Sequence, residues 1–390
     1  MSVIQRAFVM GSFLTGRYCC ILDIYHSCSY NPIDEHGDMN MPAVTVGDRT
    51  LGPTDDTYII AEIGSNFDGE KQRAKKLIDL AADCGADAAK FQAFKADKIV
   101  SQYGFDGLKT GFQEDWDKSV YETYRDAELP RGWIDELASY TREQGLDFLC
   151  TPYDQEAVDL LVDVGMPAFK IGSGDITWTS LLQYIAEQGL PVILATGAST
   201  LAEIERAVDV IESTGNDDLI LLQCVTNYPS EFESANIRTM SALAEMFDMP
   251  VGYSDHTPGS AVPLGAVSRG ACVIEKHFTD DKSREGPDHS FAMGPEEFSR
   301  MVTDVRNLNE ALGSSRKSIY DEEEATVVLQ RRCLRAARDI EVGTELTDED
   351  VVALRPAPED GLEPTYRETV IGRTASRAIP EGDHFTWSKL

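Results

Sequence analysis

The 390-residue sequence predicts an α/β protein that consists of a (β/α)₈ (TIM) barrel followed by a small β-rich domain. Three observations support this fold class. Short apolar runs alternate with segments of helical periodicity, glycines stand where helices give way to strands, and the alternation stops at a charged stretch near residue 321. The strand-and-helix unit recurs eight times in about 255 residues, which is the usual size of such a barrel.

The predicted strands are short apolar runs, and helical segments separate them. The runs lie at 58–63, 88–92, 147–150, 168–171, 192–195, 219–224, 251–253 and 272–276. Segments such as 71–84, 131–144, 154–164, 201–211 and 296–312 carry apolar residues at the period of an amphipathic helix. Left-handed glycines often end helices, and six follow helical segments here: Gly85, Gly145, Gly165, Gly189, Gly215 and Gly270. The barrel is therefore expected to close near Gly313.

The remaining segments set the expected domain limits. Residues 1–42 show no sustained period, so we expect a disordered extension or a misassigned start, with the barrel at 43–313. The run 7–25 contains Arg17 and Asp23 and is too polar to span a membrane. Residues 92–131 are too many for a plain connection and predict a lid or extra helices. A linker at 314–329 then leads to the β-rich domain at 330–390, whose turns are expected near 341–343, 356–361 and 380–382.

Charge and cysteine content narrow the classes of partner. The chain carries 67 acidic and 35 basic residues, a formal charge of −32, and the acidic residues are dispersed. Nucleic acid and membrane partners are therefore not expected. A dispersed acidic surface favours a halophilic protein, the alternative being an ordinary acidic cytosolic one. The eight cysteines form no CxxC pair, which predicts reduced thiols and a cytoplasmic location.

Reactive side chains follow nearly every predicted strand, at the end of a barrel where active sites lie. They are Glu62, Lys90, Gln92, Thr151, Tyr153, Lys170, Ser173, Asp175, Thr196, Thr226, Tyr228, Ser254, His256, Glu275, Lys276 and His277. Lys90 and Lys170, with nearby hydroxyls and the amides of Gly172 and Gly174, would bind a small anion such as a phosphorylated carboxylate. The alternative is that each lysine pairs with a neighbouring acid.

His256 and His277 follow adjacent strands, and two imidazoles at one barrel mouth are typical of a divalent-metal site. Imidazole with substrate and water oxygens suits Mn²⁺ or a similar ion, which would polarise a carbonyl group. The alternative is a pair of satisfied core histidines. Glu62 faces the same mouth and is a candidate to orient or deprotonate a water, unless it is only an ion-pair partner of Lys90 or Lys170.

Eight motifs in order then resemble one family. They are AEIGSNFDG (61–69), KFQ (90–92), TPYD (151–154), FKIGSGD (169–175), ATG (195–197), GYSDHT (252–257), EKHFTD (275–280) and GPDHSFAM (286–293). Together they resemble the N-acetylneuraminate (sialic acid) synthase family, which includes legionaminate, pseudaminate and spore-coat-polysaccharide relatives. Residues 331–351 and 354–364 resemble the antifreeze-like (SAF, β-clip) domain of that family.

The resemblance implies that phosphoenolpyruvate condenses with an N-acylated hexosamine in its open aldehyde form, giving a nine-carbon 2-keto sugar acid and phosphate. It implies Glu62 as the catalytic residue and His256 and His277 as ligands of a divalent metal, Mn²⁺ first and Mg²⁺ or Co²⁺ as alternatives. The implied phosphoenolpyruvate ligands are Lys90, Thr151, Lys170, Ser173, Thr226 and Ser254. The implied sugar ligands are Gln92, Asp175, Tyr228, Asp288 and Arg332.

The resemblance also implies a domain-swapped homodimer in which Arg332, or otherwise Arg331, reaches the partner's sugar site. Two departures from the family pattern are Phe67, where a histidine is usual, and Ala195, where a serine is frequent. Two other functions stay open. One is a different phosphoenolpyruvate-dependent 3-deoxy-keto-acid synthase, against which the antifreeze-like domain argues, and the other is a non-catalytic sugar-binding protein.

Overall fold

A computed structural model describes residues 43–105, 118–314 and 316–390, and the chain divides into two compact units between Gly313 and Ser314. The predicted N-terminal extension at 1–42 lies outside the described residues. In the described part of the chain, no helix is long and apolar enough to cross a membrane.

A hairpin precedes the barrel, and eight parallel strands form it. The hairpin pairs β1 (Val44–Val46) with β2 (Arg49–Leu51). The barrel strands are β3 (Tyr58–Gly64), β4 (Ala88–Ala93), β5 (Asp147–Pro152), β6 (Phe169–Ile171), β7 (Val192–Ala195), β8 (Leu219–Cys224), β9 (Val251–Asp255) and β10 (Val273–His277). The sheet order is β5-β4-β3-β10-β9-β8-β7-β6, so the barrel is nearly closed, with β5 and β6 as its two edge strands. The predicted fold class is confirmed.

Helices lie between the strands as the periodicity predicts. They are α1 (Lys71–Asp83), α2 (Ala96–Ile99), α3 (Val120–Asp126), α4 (Ile134–Glu143), α5 (Gln155–Asp163), α6 (Thr179–Ala186), α7 (Leu201–Glu212), α8 (Arg238–Phe247), α9 (Ala261–Val267) and α10 (Pro295–Leu312). The six glycines expected to end helices all have positive φ, between 70° and 87°. The described residues of the long connection after β4 include two short helices, α2 and α3.

Two ion pairs and a hydrogen bond connect several elements at the end of the barrel where the strands begin. Asp87 lies 2.5 Å from Arg49 of the hairpin and 2.6 Å from Arg306 of α10. The Tyr58 hydroxyl at the start of β3 donates to Asp147 at the start of β5, at 2.7 Å. These contacts tie the hairpin, the first and third strands and the last helix together, away from the strand ends that carry the candidate site.

The second unit has a small apolar core of its own. It contains α11 (Glu324–Gln330), β11 (Cys333–Ala336), β12 (Val351–Leu354) and α12 (Arg367–Val370). β11 and β12 pair antiparallel, and an isolated bridge joins Ile340 to Ile379. Leu334, Leu346 and Phe385 are buried in this core. The unit is therefore built from short strands and turns, and a helical turn occupies part of the predicted linker.

Candidate active site

Two lysines and two glutamates from four strands meet in one buried cluster at the carboxyl ends of the barrel strands. Lys90 Nζ of β4 lies 2.7 Å from Glu62 Oε2 of β3 and 3.7 Å from Glu275 Oε2 of β10. Lys170 Nζ of β6 lies 3.5 Å from Glu275 Oε1. All four side chains are at most 7% exposed. The sequence left open that each lysine pairs with a neighbouring acid, and the structure shows such pairs. Both lysines lie beside the same carboxylate, that of Glu275.

Glu275 is the functional candidate to which sequence reasoning assigned no role. Its Oε1 accepts a hydrogen bond from Ser254 Oγ at 2.9 Å. Burial alone would raise the pKa of Glu275, but the two lysines and the Ser254 hydroxyl outweigh it and lower that pKa to about 2. The sequence feature that could have identified Glu275 is its two-residue spacing from His277, because residues i and i+2 of a strand share a face.

Glu62 has a different environment from Glu275, although both carboxylates are buried. Its Oε1 accepts a hydrogen bond from Gln92 Nε2 at 2.6 Å, and its Oε2 lies 2.7 Å from Lys90 Nζ. Burial raises the pKa of Glu62 above its ordinary value even though Lys90 lowers it. A carboxylate whose pKa is raised is a stronger proton acceptor than an ordinary one, as the chemistry expected of Glu62 requires.

The two imidazoles predicted to bind a metal lie side by side, with ring centroids 5.4 Å apart. The His256 Nδ1–H donates to the Val225 carbonyl at 2.8 Å, which leaves the lone pair on Nε2. The buried Nδ1 of His277 has no hydrogen-bond partner within the described residues. Burial lowers the pKa of His256 to about 4, and burial with His256 beside it lowers the pKa of His277 well below its usual range. Both rings are therefore neutral, as metal ligands must be.

These donors fit a divalent metal that takes two ligands from the protein. The unpartnered nitrogen of His277 is the observation that favours a ligand here. Asp288 Oδ2 lies 3.8 Å from that nitrogen. Across residues 43–105, 118–314 and 316–390, no group of three or more His, Cys, Asp or Glu side chains is arranged to hold a metal ion. Within the described residues, His256 and His277 would thus supply two ligands to a metal held here.

Most of the other predicted residues surround this cluster. Lys90 Nζ donates to the Thr151 hydroxyl at 3.3 Å. Ser173 Oγ accepts from the Gly197 amide at 2.9 Å, and a Cβ at Gly197 would stand 2.8 Å from the Thr226 methyl group. Gly197 thus leaves room for two predicted anion ligands. The Thr196 hydroxyl donates to the Leu222 carbonyl and so joins two strands.

A cavity of about 160 Å³ adjoins the histidine pair. Its lining includes Gln92, Tyr124, Tyr153, Tyr228, His277 and Asp288. The Tyr228 ring lies 4.2 Å from the His256 ring. Burial raises the pKa of Asp288 to about 7 and that of Asp175 to about 6. Sequence reasoning missed Tyr124, which comes from α3 in the long connection.

The two arginines that were candidates for a partner's sugar site lie outside the barrel unit. Arg332 belongs to the second unit, is exposed, and donates to the Ala353 carbonyl at 3.0 Å. The adjacent Arg331 is also exposed, and a role for either residue in a partner's site stays a prediction.

Phe67, which replaces the usual histidine, is fully buried with its ring 6.3 Å from Phe91 and 6.2 Å from Trp133. Ala195 is buried at the end of β7.

Comparison with known proteins agrees with this geometry. Residues 77–317 match the NeuB family, and residues 331–390 match the SAF domain. The chain is 37% identical over 355 residues to the N,N'-diacetyllegionaminic acid synthase of Legionella pneumophila, covering 88% of this chain and 97% of that protein. It is 38% identical over 332 residues to the protein of the same name from Campylobacter jejuni, covering 84% and 98%.

A solved structure is also similar. The N-acetylneuraminic acid (sialic acid) synthetase of Leptospira borgpetersenii, determined in complex with citrate, is 31% identical with a TM-score of 0.67, and the match covers 74% of this chain and 95% of that one. The family model covers more than half of the chain, and the relatives align over most of their length. The chain therefore belongs to the NeuB family and carries a C-terminal SAF domain.

Proposed function

We propose that this protein is a sialic acid synthase-type transferase that condenses phosphoenolpyruvate with an N-acylated hexosamine of the N-acetylmannosamine type. The products are a nine-carbon 2-keto sugar acid, of the sialic or legionaminic and pseudaminic type, and phosphate. One observation carries the proposal: the buried Lys90, Glu62, Glu275 and Lys170 cluster lies at the same barrel mouth as the His256 and His277 pair. The names of the relatives support the same reaction.

In the proposal, phosphoenolpyruvate binds against the two lysines. Lys90 and Lys170 face its charged groups, with hydroxyls from Thr151, Ser173, Thr226 and Ser254. Both lysines are already paired with carboxylates, so the anion has to compete with Glu62 and Glu275. Glu62 also accepts a hydrogen bond from Gln92, so its charge is shared between Lys90 and that amide group.

The sugar lies in the adjoining cavity with its aldehyde toward the histidines. Gln92, Asp175, Tyr228 and Asp288 bind it, together with Arg332 from a partner subunit. His256 and His277 would hold a divalent metal, Mn²⁺ being the first choice and Mg²⁺ or Co²⁺ the alternatives. Such a metal polarises the aldehyde carbonyl when bound.

Glu62 handles the proton in the step at C2 of phosphoenolpyruvate. C3 attacks the aldehyde carbon and forms the new C–C bond, which leaves C2 electron-deficient. Water adds to C2, and Glu62 accepts its proton. The bond between C2 and the phosphate oxygen then breaks, and its electron pair leaves with phosphate. The C2 hydroxyl gives up its proton as the keto group forms, and the former aldehyde oxygen, an alkoxide since the attack, takes up a proton and becomes a hydroxyl group. Glu275, whose pKa the two lysines and the Ser254 hydroxyl lower to about 2, orients both lysines.

The test is a phosphate-release assay in which one component at a time is withheld. We expect release only with phosphoenolpyruvate, an N-acylhexosamine and a divalent ion together, and a mass spectrum showing the nine-carbon acid. H256A/H277A should lose at least about 100-fold in rate, whereas H384A in the second unit should not. Full activity of the double variant would refute the metal role. Turnover with simple sugar phosphates alone would instead indicate a 3-deoxy-keto-acid synthase.

We also propose the domain limits, the oligomeric state and the cellular location of the active enzyme. The domains run from 43 to 313 and from 330 to 390, joined by residues 314–329, which the family matches and the division at Gly313 support. The active form is a domain-swapped homodimer in the cytoplasm, so that Arg332 can complete a neighbour's sugar site. The charge of −32 supports adaptation to high salt.

A further inference from the structure

The loop between β10 and α10 brings Asp288 to the sugar cavity. Its two ends are joined by backbone hydrogen bonds, because the Met293 amide donates to the His277 carbonyl at 2.8 Å and the Thr279 amide donates to the Met293 carbonyl at 3.0 Å. Asp288 lines the cavity, and its Oδ2 lies 3.8 Å from His277 Nδ1. The backbone bonds fix the ends of the loop, and a separate set of contacts determines where Asp288 stands between them.

His289, the next residue, is fully buried and contacts protein groups through both of its ring nitrogens. Its Nε2 lies 2.8 Å from Asp68 Oδ1, and its Nδ1 lies 2.7 Å from Thr279 Oγ1. A carboxylate only accepts hydrogen bonds, so Nε2–H donates to Asp68. In the neutral ring, Nδ1 then accepts from the Thr279 hydroxyl. Both partners lie outside the segment 286–293, which His289 therefore ties to the rest of the barrel.

The two partners of His289 stand just beyond the ends of two barrel strands. Thr279 follows β10, and Asp68 follows β3. The backbone of Asp68 is left-handed, with φ 51°, a conformation that Asp and Asn tolerate better than most residues. These two strands also carry Glu62 and His277, so the contacts of His289 set the loop against the strands that hold the proposed reacting groups.

Two glycines leave room for this arrangement. A Cβ at Gly286 would stand 2.7 Å from His289 Cδ2 and 3.2 Å from its Nε2, so a larger residue there would push the ring away from Asp68. A Cβ at Gly64 would stand 2.9 Å from Asp288 Oδ2. The imidazole and the neighbouring carboxylate are thus both closely packed, and a shift of one alters the position of the other.

We propose that His289 is a positioning residue for the sugar site. Held between Thr279 and Asp68, it fixes the loop so that Asp288 stands beside the cavity. The inference rests on the proposed function, in which Asp288 binds the N-acylated hexosamine. His289 acts through Asp288, because protein groups already occupy its own two nitrogens. A displacement of about 1 Å in a group that positions a substrate can cost about 100-fold in rate, so contacts behind the site matter.

The test measures steady-state kinetics with N-acetylmannosamine, phosphoenolpyruvate and Mn²⁺. H289F fills a similar space without either hydrogen bond, and it should raise KM for the sugar by about tenfold or more, the effect of losing one bond to a charged group. KM for phosphoenolpyruvate should change by less than about twofold. H289Q has an amide that can donate to Asp68 from the position of Nε2, and its sugar KM should stay within about threefold of the wild type.

Y58F is the matched control, since it removes one hydrogen bond of a buried side chain at the opposite end of the barrel. It should lower the thermal midpoint, as H289F does, and leave both KM values unchanged. A second comparison tests whether His289 acts through Asp288. D288N/H289F should bind the sugar as D288N does in a calorimetric titration, because the two changes then affect one and the same contact.

Three results would overturn the inference: a sugar KM in H289F no higher than in Y58F, an equal rise in KM for both substrates, or independent losses of affinity in D288N/H289F. Absence of wild-type turnover would count against the proposed function instead. In that case amide hydrogen exchange tests the same contacts without chemistry. Exchange in the segment 286–293 should be about tenfold faster in H289F than in Y58F, and equal exchange in the two variants would refute the positioning role.

Discussion

At the scale of single residues, neighbouring groups of one chemical type have different proton affinities. Glu62 and Glu275 are both buried, yet Glu275 faces two lysines and the Ser254 hydroxyl whereas Glu62 faces Lys90 and Gln92. The pKa of Glu275 falls to about 2, and that of Glu62 rises. Two carboxyl groups separated in this way can take different roles, one as a fixed charge and one as a proton acceptor.

Asp175 offers a test of the cost of a buried carboxylate. Burial raises its folded-state pKa to about 6, against about 3.9 in an unfolded chain. The ionised form is thus disfavoured in the folded state, so the penalty is absent below about pH 4, grows between pH 4 and pH 6, and is complete above pH 6. D175N should raise the free energy of unfolding by about 1–3 kcal/mol at pH 8 and leave it unchanged at pH 4.

Denaturant unfolding at the two pH values measures this effect, with D209N as the exposed control. An equal gain at both pH values would contradict the explanation, because a packing effect does not depend on protonation. Activity should fall in D175N at every pH, since the residue is proposed to bind the sugar.

At the scale of elements, β9 and β10 act as one platform for the histidines. Ser254, His256, Glu275 and His277 share the inner face, and side chains alternate along a strand. Between them, Asp255 and Lys276 are register partners and form an ion pair on the opposite face. Lys276 also donates to the Thr257 carbonyl. Sequence reasoning grouped Lys276 with the strand-end lysines, whereas the alternation already separates it from Lys90 and Lys170.

Removing Lys276 should therefore weaken the platform strongly. K276M leaves the Asp255 carboxylate buried without its partner, which costs about 3–5 kcal/mol of unfolding free energy. D255L/K276M should be less destabilised than K276M, because no charge is left buried. K282M is the matched control: its pair with Glu297 is exposed and is worth about 0–1 kcal/mol. A loss in K276M no larger than in K282M, read from denaturant midpoints, would refute this role.

At the scale of the whole molecule, the sequence predicted what is periodic and missed what depends on long-range geometry. The eight strands and six helix-ending glycines repeat at short range, so the barrel was readable from local patterns. Lys90 and Lys170 were expected at one anion site, but the place of Glu275 between them depends on three separate strands pointing inward at one depth. The place of Tyr124 depends on how a long connection folds back. Local propensity contains neither kind of information.

The net charge makes a separate prediction about the conditions the fold requires. With 67 acidic and 35 basic residues, like-charge repulsion opposes the compact state, and salt screens it over about 10 Å at 0.1 M and about 3 Å at 1 M. Raising KCl from about 0.1 M to about 2 M should increase the thermal midpoint by several degrees. Sucrose of matched osmolality, as the control, should give a smaller rise. An unchanged or lower midpoint in KCl would contradict halophilic adaptation.

The order of the barrel strands has a consequence for what substrate binding does to the protein. β5 and β6 are the two edges of the sheet, and they carry Thr151 and Lys170. Both residues are proposed to hold phosphoenolpyruvate. On that assignment the bound substrate reaches across the one junction of the ring that lacks a backbone ladder among the described strands. The bound substrate then links the two edge strands of the sheet and stabilises the barrel while the new carbon–carbon bond forms.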